Sequence, residues 1–223
     1  MGKSNKEWLV PLTGVAFFVI LVIGFIVQGE PKDAKHPVNE IVNWYADNKD
    51  SAQIGAVLGV VAGGFLIFFG AYLRKVLQAA EGENAMLPIL SLIGLAIVAV
   101  GGAIDGMILF ATAEEAKDIA PTSVQALQAL WDNDFLVLVL GVIVFLWATG
   151  ISVLRSGALP KWLGWFAILF GIVSVTPIGF VGAMGAAVWI VIVSILLSVR
   201  VRRGATPPAP ASPAAPPSPS PAS

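Results

Sequence analysis

The sequence predicts an all-α membrane protein. Six transmembrane helices form one bundle, with two short amphipathic helices on the extracytoplasmic side and a proline-rich tail. Three observations carry this. The chain is 57% hydrophobic and 12% charged, where a soluble domain carries about 25% charged residues. The charges cluster between long apolar runs and do not alternate with apolar residues along one face. Lys and Arg also divide unevenly between the two sets of connecting loops.

A bilayer core about 30 Å thick needs about 20 apolar helical residues, each rising about 1.5 Å. The first span covers about 8–27 and holds no charge. Its apolar run is longer than a signal-peptide core and no A-x-A site follows, so it reads as an uncleaved anchor. The second covers 52–73, closed by Arg74 and Lys75, and the third covers 86–112 around one charge, Asp105. The fourth covers 135–154, closed by Arg155. The uncharged stretch from Trp162 to Val199 is too long for one span, and Thr176-Pro177-Ile178-Gly179 suits a turn within it. That divides it into spans at 162–178 and 183–199, with one helix plus a re-entrant segment as the alternative. Residues 1–203 are one polytopic domain. Residues 204–223 contain eight prolines and read as a disordered, polyproline-like cytoplasmic tail.

Orientation follows from basic residues near span ends. With the N-terminus in the cytoplasm, nine of the thirteen Lys and Arg lie inside, from Lys3 and Lys6 to Arg200, Arg202 and Arg203. Ten of the fourteen acids lie in the two outer loops. Both termini are therefore expected in the cytoplasm. Trp8, Trp162 and Trp165 sit where interfacial indoles belong.

Each outer loop carries a helical stripe. Val38, Ile41, Val42 and Tyr45 share one face, as do Val124, Leu127 and Trp131. They read as packing lids, with a partner- or ligand-binding face as the alternative. Each stripe ends in an Asp/Asn group, Asp47-Asn48 and Asp132-Asn133-Asp134, and a span follows, so lid plus hairpin forms a loose internal repeat. The Asp/Asn groups are expected to cap the following spans. Calcium ligation is the other reading, although neither group has EF-hand spacing.

The chain has no cysteine and one histidine, His36. That excludes disulfides, thiolate chemistry and multi-histidine metal sites. No metal or cofactor is expected. The net charge of −1 gives no argument for nucleic acid. Asp105, in Gly101-Gly102-Ala103-Ile104-Asp105-Gly106, is the one ionisable residue at membrane depth, where a charge costs about 2.5–3.5 kcal/mol on insertion scales. Three states are open to it. It hydrogen-bonds to Thr149, Ser152, Ser174, Thr176 or Trp147, it faces a water-filled outer cavity, or its helix ends early. Glu114, Glu115, Asp118, Asp132 and Asp134 form a candidate outer acidic cluster. The Gly-x-x-x-Gly pairs 55–59, 59–63 and 102–106 point to close helix packing.

Three function classes remain: a non-enzymatic scaffold or sensor-like bundle first, a small transporter or channel component using Asp105 second, a membrane enzyme last. No nucleophile–base pair supports the last. The bilayer is the expected partner, and homo-oligomerisation would multiply Asp105 into a ring. The order of spans, the loop with Trp44-Tyr45, and Ser156-Gly157-Ala158-Leu159-Pro160-Lys161-Trp162-Leu163-Gly164-Trp165 resemble uncharacterised six-span membrane proteins of bacteria, of actinobacterial type. The resemblance implies a bacterial plasma membrane and no particular activity.

Overall fold

A computed structural model describes residues 7–204. Lys3, Lys6 and the tail from residue 205 lie outside the described residues. Every regular element described is helical. A 3-10 turn at Glu7–Leu9 precedes α1 (Thr13–Gln28), α2 (Val38–Asp47), α3 (Lys49–Glu81), α4 (Leu87–Glu115), α5 (Pro121–Trp131), α6 (Leu136–Ser156), α7 (Lys161–Val173) and α8 (Gly179–Arg202). Four helices are long and apolar enough to cross a membrane: α3, α4, α6 and α8, with α6 the apolar part of a helical run that opens at Pro121. The apolar helices α1 and α7 are shorter, at 16 and 13 residues.

Several boundaries depart from expectation for local reasons. The first helix begins at Thr13 and not at Trp8, because Pro11 lacks an N–H and disfavours helix before it. Helix α3 runs on to Glu81, past Arg74 and Lys75, since charges end membrane burial without ending a helix; Gly82, at φ +100°, ends it. Helix α7 stops at Val173 where 178 was expected. Ser174 Oγ donates to the Phe170 carbonyl at 2.8 Å, and Pro177 follows. Gly182 lies against this turn, so α8 folds straight back along α7.

The capping expectation fails. Neither α3 nor α6 has a side-chain cap. Asn48 Nδ2 donates backwards to the Trp44 carbonyl at 2.8 Å, and Asn133 Nδ2 to the Ala129 carbonyl at 2.7 Å. These amides close the lid helices. The next helices start almost without interruption, as the Ala52 N–H already bonds to the Asn48 carbonyl.

Helices α4 and α6 pack backbone against backbone. A Cβ on Gly141 would lie 2.6 Å from the Val98 nitrogen, and one on Gly94 would strike the Phe145 backbone. With no side chain between them, the two backbones nearly touch. Close approach of this kind drives helix association in lipid, where burial against other apolar side chains gains little. Gly55 brings α3 against Gln28 of α1 in the same way.

The lower half of the bundle, away from the lids, is a dense apolar core. Phe69, Leu73, Leu77, Leu146, Val153, Leu163 and Val193 are buried, and Trp189 Nε1 donates to the Leu163 carbonyl at 2.9 Å. Both ends of the described chain meet here. Ser198 Oγ donates to the Trp8 carbonyl at 2.9 Å, Ser194 Oγ donates to the Pro11 carbonyl, and the Arg202 guanidinium stacks 3.6 Å above the Trp8 ring. Arg200 donates to the Ala158 carbonyl at 2.7 Å, fastening the α6–α7 turn.

This packing makes Gly94→Ala and Gly141→Ala destabilising by about 1–3 kcal/mol, the usual cost of overpacking. Gly64→Ala, where a Cβ meets open space, should leave stability unchanged. Denaturant titration in mixed micelles measures both.

Candidate functional site

The site begins with the lids. Ile41 and Tyr45 of α2 and Val124 and Gln128 of α5 are fully buried, and α2 and α5 pack on each other above the upper ends of α3 and α4. The buried Tyr45 and Gln128 begin a relay that ends at the surface on Asp132. Tyr45 Oη donates to Gln128 Oε1 at 2.6 Å, and Gln128 Nε2 donates to Asp132 Oδ1 at 2.7 Å. Asp132 Oδ2 accepts from the Ala34 N–H at 2.8 Å, and Gln125 Nε2 donates to the Ala34 carbonyl at 2.9 Å. The relay thus ties both lids to the α1–α2 loop. Burial first, then the carboxylates of Asp132 and Asp105, push the Tyr45 phenol above its ordinary pKa. Tyr45 therefore stays a neutral donor at every physiological pH.

Beneath the lids a cleft of about 260 Å³ opens between α1, α3, α4, α6 and α8. Its space is made by missing side chains. A Cβ on Gly59 or on Gly102 would meet nothing within 4 Å. Phe17, Leu66, Leu95, Phe145 and Ile190 floor it, and these belong to the dense lower core. Only two side chains on its walls carry strongly polar groups, Asp105 and Gln28.

Asp105 sits within α4, which continues ten residues further to Glu115, so an early helix end is ruled out. None of its expected partners reaches it. Thr149 pairs with Ser91 at 2.7 Å, while Ser174 and Thr176 bond to their own helix. Ser152 is buried without a partner, and Trp147 lies against Gly171. Among the described residues Asp105 makes no side-chain hydrogen bond and lines the cleft. Asp105 therefore stands on the wall of a cleft whose other lining, Gln28 apart, is apolar.

The expected acidic cluster is divided. Glu114 pairs with Lys49 at 2.9 Å and accepts from Gln53 at 2.6 Å, on the far side of the α3–α4 hairpin end. Glu115 and Asp118 are exposed. Asp132 belongs to the relay, and Asp134 is partly buried with Oδ2 unpartnered. No three carboxylate or imidazole groups converge as metal ligands among the described residues.

Three elements of the site escaped the sequence reading. Gln28 is one, although a polar residue ending an apolar run is a legible signal. Gln128 was hidden within an otherwise apolar stripe. The unmatched glycines Gly59 and Gly102 were read as packing contacts. No family model, curated protein or solved structure matches this chain.

Removing the Tyr45 hydroxyl strands the buried Gln128 oxygen, which costs about 1–3 kcal/mol. Tyr45→Phe should lower the thermal midpoint in detergent, and so should Gln128→Leu. The double variant should cost less than the two single losses combined, because both break one relay.

Proposed function

We propose that this chain is a six-span, non-enzymatic, sensor-like bundle of a bacterial plasma membrane, holding a small apolar ligand in the cleft beneath its lids. The observation that carries this is the shape of the cleft: it opens near the lids and ends on packed Phe17, Leu66, Phe145 and Ile190. A blind pocket suits binding. A conduit needs polar lining through the full depth of the membrane, whereas below the cleft the paired hydroxyls of Ser91 and Thr149 and the hydroxyl of Ser152 are enclosed by packed apolar side chains.

Six crossings are supported by the meeting of Trp8 with Ser198 and Arg202 at one end of the bundle, which requires an even number of passes between them. Helices α1 and α7 count as short crossings, and α7 spans only about 20 Å at about 1.5 Å per residue. The basic residues at that end favour the cytoplasm for it, and the acidic lids then face outward. The bacterial assignment rests on the resemblance carried by the inner loop from Ser156 to Trp165. One copy completes the cleft, so the reading needs no oligomer.

A second reading, a small transporter, draws on Asp105 alone, an acid at membrane depth with no side-chain partner among the described residues. The two separate in proteoliposomes. The sensor reading expects proton and alkali-cation uptake no greater than in protein-free vesicles. Uptake that is present in the native chain and lost in Asp105→Asn would establish transport instead. Topology is checked by single cysteines in this cysteine-free chain. Those at Asp47 and Lys117 should react with an impermeant maleimide in intact cells, and those at Glu83 and Arg155 only after permeabilisation.

A further inference from the structure

The occupant of the cleft can be narrowed by its chemistry. Two polar side chains face it with no hydrogen-bond partner among the described residues. Gln28 is only 7% exposed, lines the cleft, and its amide makes no hydrogen bond among the described residues. Asp105 adds a carboxyl on the same cavity. Gln28 packs against Gly55, and Gly106 packs against Ala56, so the two groups sit at neighbouring levels of α3. Together they offer several oxygen acceptors, with one amide nitrogen as the only donor.

Charge around the cleft has one sign. No Lys, Arg or His lines it. Asp134 lies within electrostatic reach of Asp105, and Lys49, at the lid-side start of α3, is paired with Glu114. An unpaired carboxylate away from bulk water interacts most strongly with a cation. An anionic ligand would meet only acids.

Size and access complete the description. A cavity of about 150 Å³ holds benzene, so about 260 Å³ holds an apolar body somewhat less than twice as large. The rim opens to the side. The hydrogen bonds joining α1 to α8 fall at Pro11, Val15 and Ser194, low in the bundle. Higher up, Phe25 of α1 and Phe180 of α8 stand at the rim, 54% and 74% exposed. The lips of the cleft are therefore apolar side chains turned towards lipid.

From these observations we infer that the cleft selects a lipophilic amine, an apolar body carrying one protonated nitrogen, which enters between α1 and α8 from the lid-side leaflet. The ammonium is held by the Asp105 carboxylate and the Gln28 amide oxygen, and the body fills the space left by Gly59 and Gly102. This rests on the reading of the cleft as a ligand site.

The test uses the full chain in nanodiscs, with empty nanodiscs subtracted, and three matched probes: 4-phenylbutylamine, 4-phenylbutan-1-ol and 4-phenylbutyrate. Calorimetric titration should show the amine binding at least tenfold more tightly than the alcohol, and the acid weakest. Asp105→Asn, nearly isosteric, should bring the amine down to the level of the alcohol. Gln28→Leu should weaken the amine several-fold with the thermal midpoint retained. Gly102→Leu, built into open space, should weaken amine and alcohol alike. Equal binding of amine and alcohol by the native chain overturns the inference, and so does an amine preference that survives Asp105→Asn. If Gly102→Leu still abolishes alcohol binding in either case, the ligand-site reading stands without the amine. Absence of binding by all three probes removes both.

Discussion

Everything in this bundle depends on how closely α4 and α6 approach. In lipid, an apolar side chain gains little by exchanging acyl chains for another side chain, so helix association rests on fit. Gly94 and Gly141 supply that fit by removing both side chains at the crossing. The consequence reaches beyond the pair. Helices α3 and α4 form one antiparallel hairpin and α6 and α7 another, so the crossing joins the two hairpins and sets where α1 and α8 pack. A wider α4–α6 crossing would also displace Leu138 and Phe145, which wall the cleft.

The same residue type has opposite effects a few turns apart. At Gly94, Gly141 and Gly55 the missing side chain is filled by a neighbouring helix, and the result is a contact. At Gly59 and Gly102 nothing fills it, and the result is space. Bundles that only need to pack do not leave such gaps at this depth, since an empty volume forfeits dispersion contacts along its whole lining. Here the gap adjoins the one membrane-depth carboxyl and an amide with no partner. Both polar groups carry a cost of desolvation that a hydrogen-bonding occupant would offset.

Much of the architecture was legible because it follows from hydropathy alone. Long uncharged runs located α4, α6 and α8 and the start of α3 to within a few residues, though not the extension of α3 to Glu81, and the i, i+3, i+4, i+7 stripe of Ile41 and Tyr45 located the first lid. What hydropathy could not supply was partnership. Asn48 and Asn133 have the right chemistry for capping the next helix, but the chain enters that helix with nearly helical backbone, so their amides turn back to Trp44 and Ala129. The Gly-x-x-x-Gly spacing marks small residues on one face, and only the neighbouring helix decides whether they make a seam or a void. Asp105 was visible as an anomaly, whereas its lack of a partner depends on where Thr149 and Ser174 find theirs. The acids expected as one outer cluster are split by their partners, Glu114 being held by Lys49 and Gln53 and Asp132 by Gln128 and the Ala34 N–H.

Gly102 faces open space in the same cleft as Asp105. The cysteine-free chain allows a nitroxide to be attached at Gly102→Cys, with Ala62→Cys as a packed control and Val100→Cys as a lipid-facing one. Electron paramagnetic resonance in nanodiscs, with oxygen as the lipid-soluble relaxant, reads mobility and access together. A mobile spectrum is expected at residue 102, with oxygen access between those of the two controls. An immobile spectrum with no oxygen access, matching residue 62, would mean that the cleft is closed and that Asp105 is buried in a packed interface.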